Sequence, residues 1–300
     1  MFNGTSTFVE GVDNAFLFIV VISLILLIVL TFLMVYFIFR YRKERNPVAS
    51  QIEGNVTLEV LWTVIPGILV LMMFWYGWKA YTPMREVPED AMVVKAVARM
   101  WAFSFEYDNG KKSDKLVVPI NKPVKVVLEA TDVLHAFYIP AFRVKQDMVP
   151  GNPQYVWFSA SKTGSYDIFC AEYCGTLHSA MITKVEVLEE TDYQAWYEGS
   201  ALAGDEPVGL KLLKDNACIS CHSTDGSQLV GPTFKGLFGK THKVVSNGVE
   251  KEIVADDAYL MKSITDPASD VVVGFPAIMQ PYQLPDSSLK SMVEFIKTLK

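Results

Sequence analysis

The sequence predicts a two-helix transmembrane hairpin, then an all-β sandwich, then an all-α domain. Three observations carry this. The first 80 residues hold two long apolar runs without a charge; residues 92–190 break into short β-branched and aromatic segments; residues 208–300 turn to helical periodicity around the motif Cys218-Ile219-Ser220-Cys221-His222.

The first apolar run, 15–39, is 25 residues without a charge. About 20 apolar residues cross the hydrocarbon core, so this run spans with some tilt. The second starts at Val60 and runs uncharged for 19 residues to Trp78; its Pro66 and Gly67 are tolerable in a membrane helix. A cleaved signal peptide does not fit the first run, because Glu10 and Asp13 precede it, no Lys or Arg does, and the run is too long. Between the runs, Arg40, Arg42, Lys43 and Arg45 mark a cytoplasmic side. The expected layout is an external N-terminus (1–14), a first span (15–39), a cytoplasmic loop (40–59) and a second span (60–80). Both termini then lie on the periplasmic face.

The mean hydropathy of +0.24 and a hydrophobic content of 51% agree with membrane insertion. Five basic and five acidic residues fall in 1–80, so the whole net charge of −6 belongs to the exported part. That argues against nucleic acid as a partner and is compatible with a basic protein.

Six segments predict the sandwich: "AMVVKAVARMWAFSFEY", "KLVVPI", "PVKVVLEATD", "QYVWFSAS", "SYDIFC" and "MITKVEVLE". A short helix capped by Thr191 and a Gly204–Pro207 hinge follow, giving a linker over 191–207. Three helical stretches make up 208–300, the last with Leu289, Met292, Phe295, Ile296 and Leu299 on one face. So small a core benefits from a large group at its centre.

All four cysteines fall into two pairs, Cys170/Cys174 and Cys218/Cys221. In an exported domain two disulfides are the plain expectation. The second pair departs from it. Cys-x-x-Cys-His is a haem-attachment signature: thiols at i and i+3 reach both vinyl groups of one haem, and His222 meets the iron. A sixth ligand is then needed, and Met raises the potential. Met279, in "GFPAIMQPY" between Pro276 and Pro281, is the choice; Met261 and Met292 sit on helices and read as core. His242 reads as a solvated loop residue.

The first pair stands in "CAEYCGTLHSAM", with His178 and Met181 downstream and His135 35 residues before Cys170. One pair is too few ligands for the usual structural zinc site. Thiolate, thioether and imidazole together select copper, and two thiolates can bridge two metals.

These residues resemble the binuclear CuA motif, H…C-x-E-x-C-x-x-x-H-x-x-M. With the hairpin ahead of it the chain resembles subunit II of haem–copper cytochrome c oxidases. "GPTFKGLFG" (231–239), Met279 and the terminal helix resemble class I cytochromes c, as in the caa-type variant. The resemblance implies a cupredoxin-like CuA domain over 92–190 and a class I cytochrome c domain over 208–300. It implies Cys170 and Cys174 bridging two coppers, His135 and His178 on one each, and Met181 and the Glu172 carbonyl as further ligands. The Glu172 carboxylate would face a magnesium shared with subunit I. Trp101 would be where electrons enter, and Glu59 the mouth of a proton channel. The implied cofactors are CuA, haem c and magnesium. The implied partners are subunit I, other oxidase subunits and a soluble cytochrome c, at a bacterial inner membrane. A CuA-containing nitric oxide reductase subunit and a copper-free membrane-anchored cytochrome are the alternatives.

Overall fold

A computed structural model of the chain describes residues 4–48, 51, 53–199 and 207–300. Helix α1 covers Val9–Arg40 and α2 covers Val56–Tyr81. Both outrun their uncharged stretches. Asn55 starts α2 by accepting the Leu58 N–H on its side chain at 3.1 Å, four residues ahead of the apolar run. The helices pack antiparallel, with Phe18 and Tyr76 ring centroids 4.5 Å apart. Their other apolar side chains are exposed, as suits lipid and neighbouring subunits.

The hairpin is tied to the next domain from both ends. Thr5 and Thr7 donate their backbone N–H groups to Ala141 and Ser159 carbonyls. Arg143 forms a two-pronged ion pair with Asp13, at 2.7 and 3.2 Å. Beyond α2, the Trp157 indole donates to the Pro83 carbonyl at 3.1 Å.

The sandwich has strands β1 (Met92–Arg99), β2 (Ala102–Tyr107), β3 (Lys112–Ser113), β4 (Leu116–Pro119), β5 (Pro123–Ala130), β6 (His135–Ile139), β7 (Val144–Met148), β8 (Gln154–Ser159), β9 (Gly164–Cys170) and β10 (Ile182–Leu188). They form two five-stranded sheets, β3-β2-β1-β5-β8 and β4-β10-β9-β6-β7. Alternation in β2 and β5 turns every second side chain inward; Phe105, Val124, Val126 and Leu128 are fully buried. Phe137, Phe142 and Phe158 fill the space between the sheets. Each such ring contributes about 1.5–3 kcal/mol of burial.

Helix α3 spans Glu190–Glu198 and closes one edge, where Trp196 meets Tyr107 edge-on at 5.0 Å. Thr191 lies inside this helix rather than capping it, because the extended residue at its start is Glu189. Gly199, in the left-handed region, ends it. The helical reading of 200–203 and most of the Gly204–Pro207 hinge lie outside the described residues.

The C-terminal domain is not all-α. Helices α4 (Val208–Asp215), α5 (Asp257–Thr265) and α6 (Asp286–Thr298) are joined by strands β11 (Thr241–Ser246), β12 (Val249–Val254) and β13 (Val271–Val272). Asn247 and Gly248, both at positive φ, make the two-residue turn between β11 and β12. This places His242 on a strand, its Nε2 3.0 Å from the Tyr259 hydroxyl, and not in a solvated loop. Helices α4 and α6 cross at Gly209, where a Cβ would stand 2.2 Å from the Ser291 carbonyl oxygen, so no larger residue fits.

Asp270 fixes β13 through Lys251 at 2.8 Å and Lys262 at 2.7 Å, and these cations hold its carboxyl well below the usual carboxylate range. A depressed carboxyl contributes stability above the unfolded value of about 3.9, lost as pH falls through the folded value. Asp270→Asn is therefore expected to lower the thermal midpoint of the C-terminal domain at neutral pH. The gap from wild type should narrow steadily below about pH 4, as followed by calorimetry of the full chain.

Candidate metal centre

Three strand ends meet at one end of the sandwich. Strand β9 finishes at Cys170, its neighbour β6 begins at His135, and β10 starts after Met181. The loop 171–181 is closed at its base by the Cys170 N–H donating to the Met181 carbonyl at 3.1 Å. Within it the His178 N–H donates to the Gly175 carbonyl, at 3.1 Å.

This closure brings six donors together. The Cys170 and Cys174 sulfurs lie 3.7 Å apart as free thiols. Nδ1 of His135 is 3.9 Å from the Cys170 sulfur, and Nδ1 of His178 is 3.6 Å from that of Cys174. The Met181 sulfur is 3.9 Å from Cys174, and the Glu172 carbonyl oxygen is 3.2 Å from Cys170. The donors thus divide around two central sulfurs. One side has His135 and a carbonyl, the other His178 and a thioether. Two metals sharing both sulfurs suit that division better than one. His135, Cys170 and Cys174 offer donor atoms all within 4.8 Å of one another. His135 is fully buried and Met181 nearly so, whereas His178 is half-buried near the surface.

Asp132, which the motif does not include, holds His135. Its carboxylate lies 2.8 Å from His135 Nε2, which directs Nδ1 at the sulfurs. It also accepts the Met100 N–H at 2.6 Å. The signal stands in the sequence as Asp-x-x-His within "TDVLHAFYIP".

Electrostatics follow from this packing. Burial opposes a charge on His135, but the bonds to Asp132 and Cys170 outweigh it and raise its pKa to about 9. Burial likewise works against a Cys170 thiolate; His135 and backbone N–H groups reverse this and bring it to about 6. Burial and the neighbouring Cys170 push Cys174 up to about 12. One thiol ionises readily and the second does so only when a metal replaces its proton.

Trp101 borders the same loop. Its indole N–H donates to the Cys174 carbonyl at 3.1 Å, and the ring lies against Gly175. Trp101, Phe103, Phe105 and Tyr107 are all buried on one face. Glu59 sits in the first turn of α2, where unpaired N–H groups favour a carboxylate. It is far along the chain from the donor cluster and shares no contact with it. The Glu172 side chain is half-buried, and no second carboxylate joins it among the described residues.

A separate cavity collects Cys218, Cys221, His222 and Met279. Nδ1 of His222 donates to the Pro232 carbonyl at 2.7 Å, leaving Nε2 free. Burial lowers the pKa of His222, which favours the neutral imidazole that ligates. The Phe234 ring stacks on it at 4.8 Å. Gly231 passes so close that a Cβ there would stand 2.6 Å from His222 Cε1. Met292 is core, and Met261 packs against that core, leaving Met279 as the C-terminal domain's thioether at the cavity, which Met100 of the sandwich also lines.

Residues 74–188 match the family model for the periplasmic domain of cytochrome c oxidase subunit II, and residues 1–79 match that for its transmembrane domain. Subunit 2 of cytochrome c oxidase from Bacillus subtilis is 31% identical, over 88% of this chain and 82% of that one. The chain belongs to the cytochrome c oxidase subunit II family. The subunit 2 of Alkalihalophilus pseudofirmus is 29% identical over 96% of this chain and 86% of that protein. A crystal structure of the periplasmic domain of subunit II of cytochrome oxidase from Bradyrhizobium japonicum is 34% identical, covering 38% of this chain and 96% of that one, with a TM-score of 0.36.

As a subunit II, this chain is the membrane-anchored electron-transfer subunit of a haem–copper oxidase complex, working with other subunits. Its family normally binds copper as CuA, and His135, Cys170 and Cys174 form a possible metal site of that kind.

Copper uptake must displace protons from Cys174 and His135, and from Cys170 as well when the pH nears 6. Affinity is therefore expected to fall as pH drops from about 8 to 6, with protons released on binding, a result titration calorimetry in buffers of different ionisation enthalpy reads directly. Asp132→Asn should weaken copper binding about 10- to 100-fold while leaving the sandwich folded; competition with a chelator measures it.

Proposed function

We propose that this chain is the electron-accepting subunit of a caa-type cytochrome c oxidase. Electrons from a soluble donor such as cytochrome c pass via haem c to binuclear CuA. They go on to subunit I, where oxygen is reduced to water and protons are pumped. The observation that carries this reading is two ligand-bearing clusters in one chain: the six-donor cluster at the end of the sandwich, and the cavity lined by Cys218, Cys221, His222 and Met279.

Bound copper supplies a one-electron centre spread over two thiolate-bridged metals, and haem c a second one-electron carrier. The chain's part is to hold them still. Cys170, Cys174, His135, His178, Met181 and the Glu172 carbonyl would hold the coppers. Asp132 fixes the His135 ring, and Pro232 and Phe234 fix that of His222. A ligand set braced by strands moves little when charge changes. In the second site Cys218 and Cys221 would anchor the haem, and His222 and Met279, the latter on a loop stiffened by Pro276 and Pro281, would hold its iron.

The reading assigns 92–190 to the copper domain, 191–207 to a linker and 208–300 to a cytochrome domain, on the periplasmic face of a bacterial inner membrane. The span of the Alkalihalophilus match, 96% of this chain, supports an oxidase subunit that includes the C-terminal region. Trp101 takes up electrons beside the copper loop, the Glu172 carboxylate faces a magnesium shared with subunit I, and Glu59 marks a proton channel into that subunit.

The test is the intact complex isolated through this chain. On this chain's external fragment, separated from the copper of subunit I, copper and covalently bound haem are expected at about two to one. Reduced cytochrome c should drive oxygen uptake with proton ejection from proteoliposomes. Nitric oxide consumption with little oxygen uptake would assign the chain to a CuA-containing nitric oxide reductase, and absent copper to a membrane-anchored cytochrome. Met279→Leu is expected to keep the haem attached and to lower its reduction potential, read by potentiometric titration, because the thioether ligand raises it.

A further inference from the structure

The cavity around Cys218, Cys221 and His222 is not walled by the C-terminal domain alone. Arg99, Met100 and Trp101, at the β1–β2 turn of the sandwich, line it as well. Arg99 ends β1 and pairs across the turn with Ala102, while Asp132 holds the Met100 N–H. From the other domain Tyr282, three residues after Met279, offers its ring to Arg99; the guanidinium carbon is 4.0 Å from the ring centroid. Tyr282 is anchored at both ends. Its N–H donates to the Ile264 carbonyl at 3.0 Å and its hydroxyl to the Asn216 carbonyl at 2.9 Å. Ile278, beside Met279, packs against the sandwich core.

Charge singles out the same residue. Among the lining residues, Arg99 and Asp270 carry a full charge at neutral pH. Asp270 is balanced by Lys251 and Lys262. No carboxylate among the described residues pairs with Arg99, whose partner is an aromatic face. An unbalanced cation is thus set at the edge of a mostly apolar cavity by the opposite domain.

We propose that the haem site is shared between the two domains, with the Arg99–Met100–Trp101 turn as one of its walls and the Arg99–Tyr282 contact as the clasp that keeps it there. This rests on the haem c reading above. Arg99 is a positioning residue. It holds the cytochrome domain where Trp101, bonded to Cys174 on its other side, touches both sites. Its charge also favours the ferrous haem, which carries one positive charge fewer than the ferric, and so raises the potential while the domains are docked. Trp101 is 7% exposed, so a soluble donor delivers its electron to the haem domain and not to Trp101.

The test uses the full-length chain carrying haem and copper, with Arg99→Gln, Arg99→Lys and Tyr282→Leu. Covalent haem is first verified by pyridine haemochrome; its absence from wild type overturns the haem reading and this proposal with it. With haem attached, Arg99→Gln is expected to lower the haem potential. It should also slow haem-to-copper transfer after rapid photoreduction by about tenfold, the docking loss expected of one desolvated cation–π contact. Hydrogen exchange over 98–103 should rise in parallel. Tyr282→Leu should match it in transfer and exchange. Arg99→Lys, which keeps the charge but not the planar stacking, should fall between. Wild-type potential, transfer and exchange in Arg99→Gln and Tyr282→Leu, with haem present, would overturn the clasp.

Discussion

Two sulfur atoms held 3.7 Å apart, each facing its own imidazole, are the constraint around which this molecule is arranged. The arrangement is costly without a metal. It buries two thiols that ionise at very different pH, beside a histidine that Asp132 and Cys170 keep protonated. A loop alone cannot hold such groups together. Strands can: β9 delivers Cys170, its neighbour β6 delivers His135, and the Cys170–Met181 backbone bond closes the excursion that carries the rest. The aromatic core beneath, from Phe105 to Phe158, supplies the burial that offsets the cost.

The same logic runs toward the membrane. The residues before α1 pair with the sandwich, Asp13 grips Arg143, and Trp157 bonds to Pro83 just beyond α2. The hairpin and sandwich are therefore joined on both sides of the chain. A copper site braced this way keeps its height relative to the bilayer, which a membrane-embedded acceptor requires. The exposed apolar faces of α1 and α2 are the natural seat for the other subunits of the complex.

Most of this was legible in the residues. Long uncharged runs fix membrane spans, because nothing else tolerates them. Alternation gave the strands with buried partners on one side, as in β1, β2 and β5. Strand β7, "VKQDM", escaped because its polar residues lie at a sheet edge, and with it β6 and the strand position of His135. The β11–β12 hairpin was missed although "SNGV" is a strong turn signal; helical segments on either side drew the reading away from it. Asp132 stands three residues before His135, a local Asp-x-x-His spacing. Arg99 is illegible for a different reason: its part comes from a three-dimensional neighbour, Tyr282, that no local spacing encodes.

Two proteins meeting by diffusion need a broad apolar interface to offset lost translational and rotational freedom. A domain tethered to its acceptor meets it at an effective concentration in the millimolar range for a short linker. Contacts such as the Arg99 cation over the Tyr282 ring, with Ile278 at the seam, can then set its orientation. On the proposal above, the tether supplies the proximity and Arg99 the orientation.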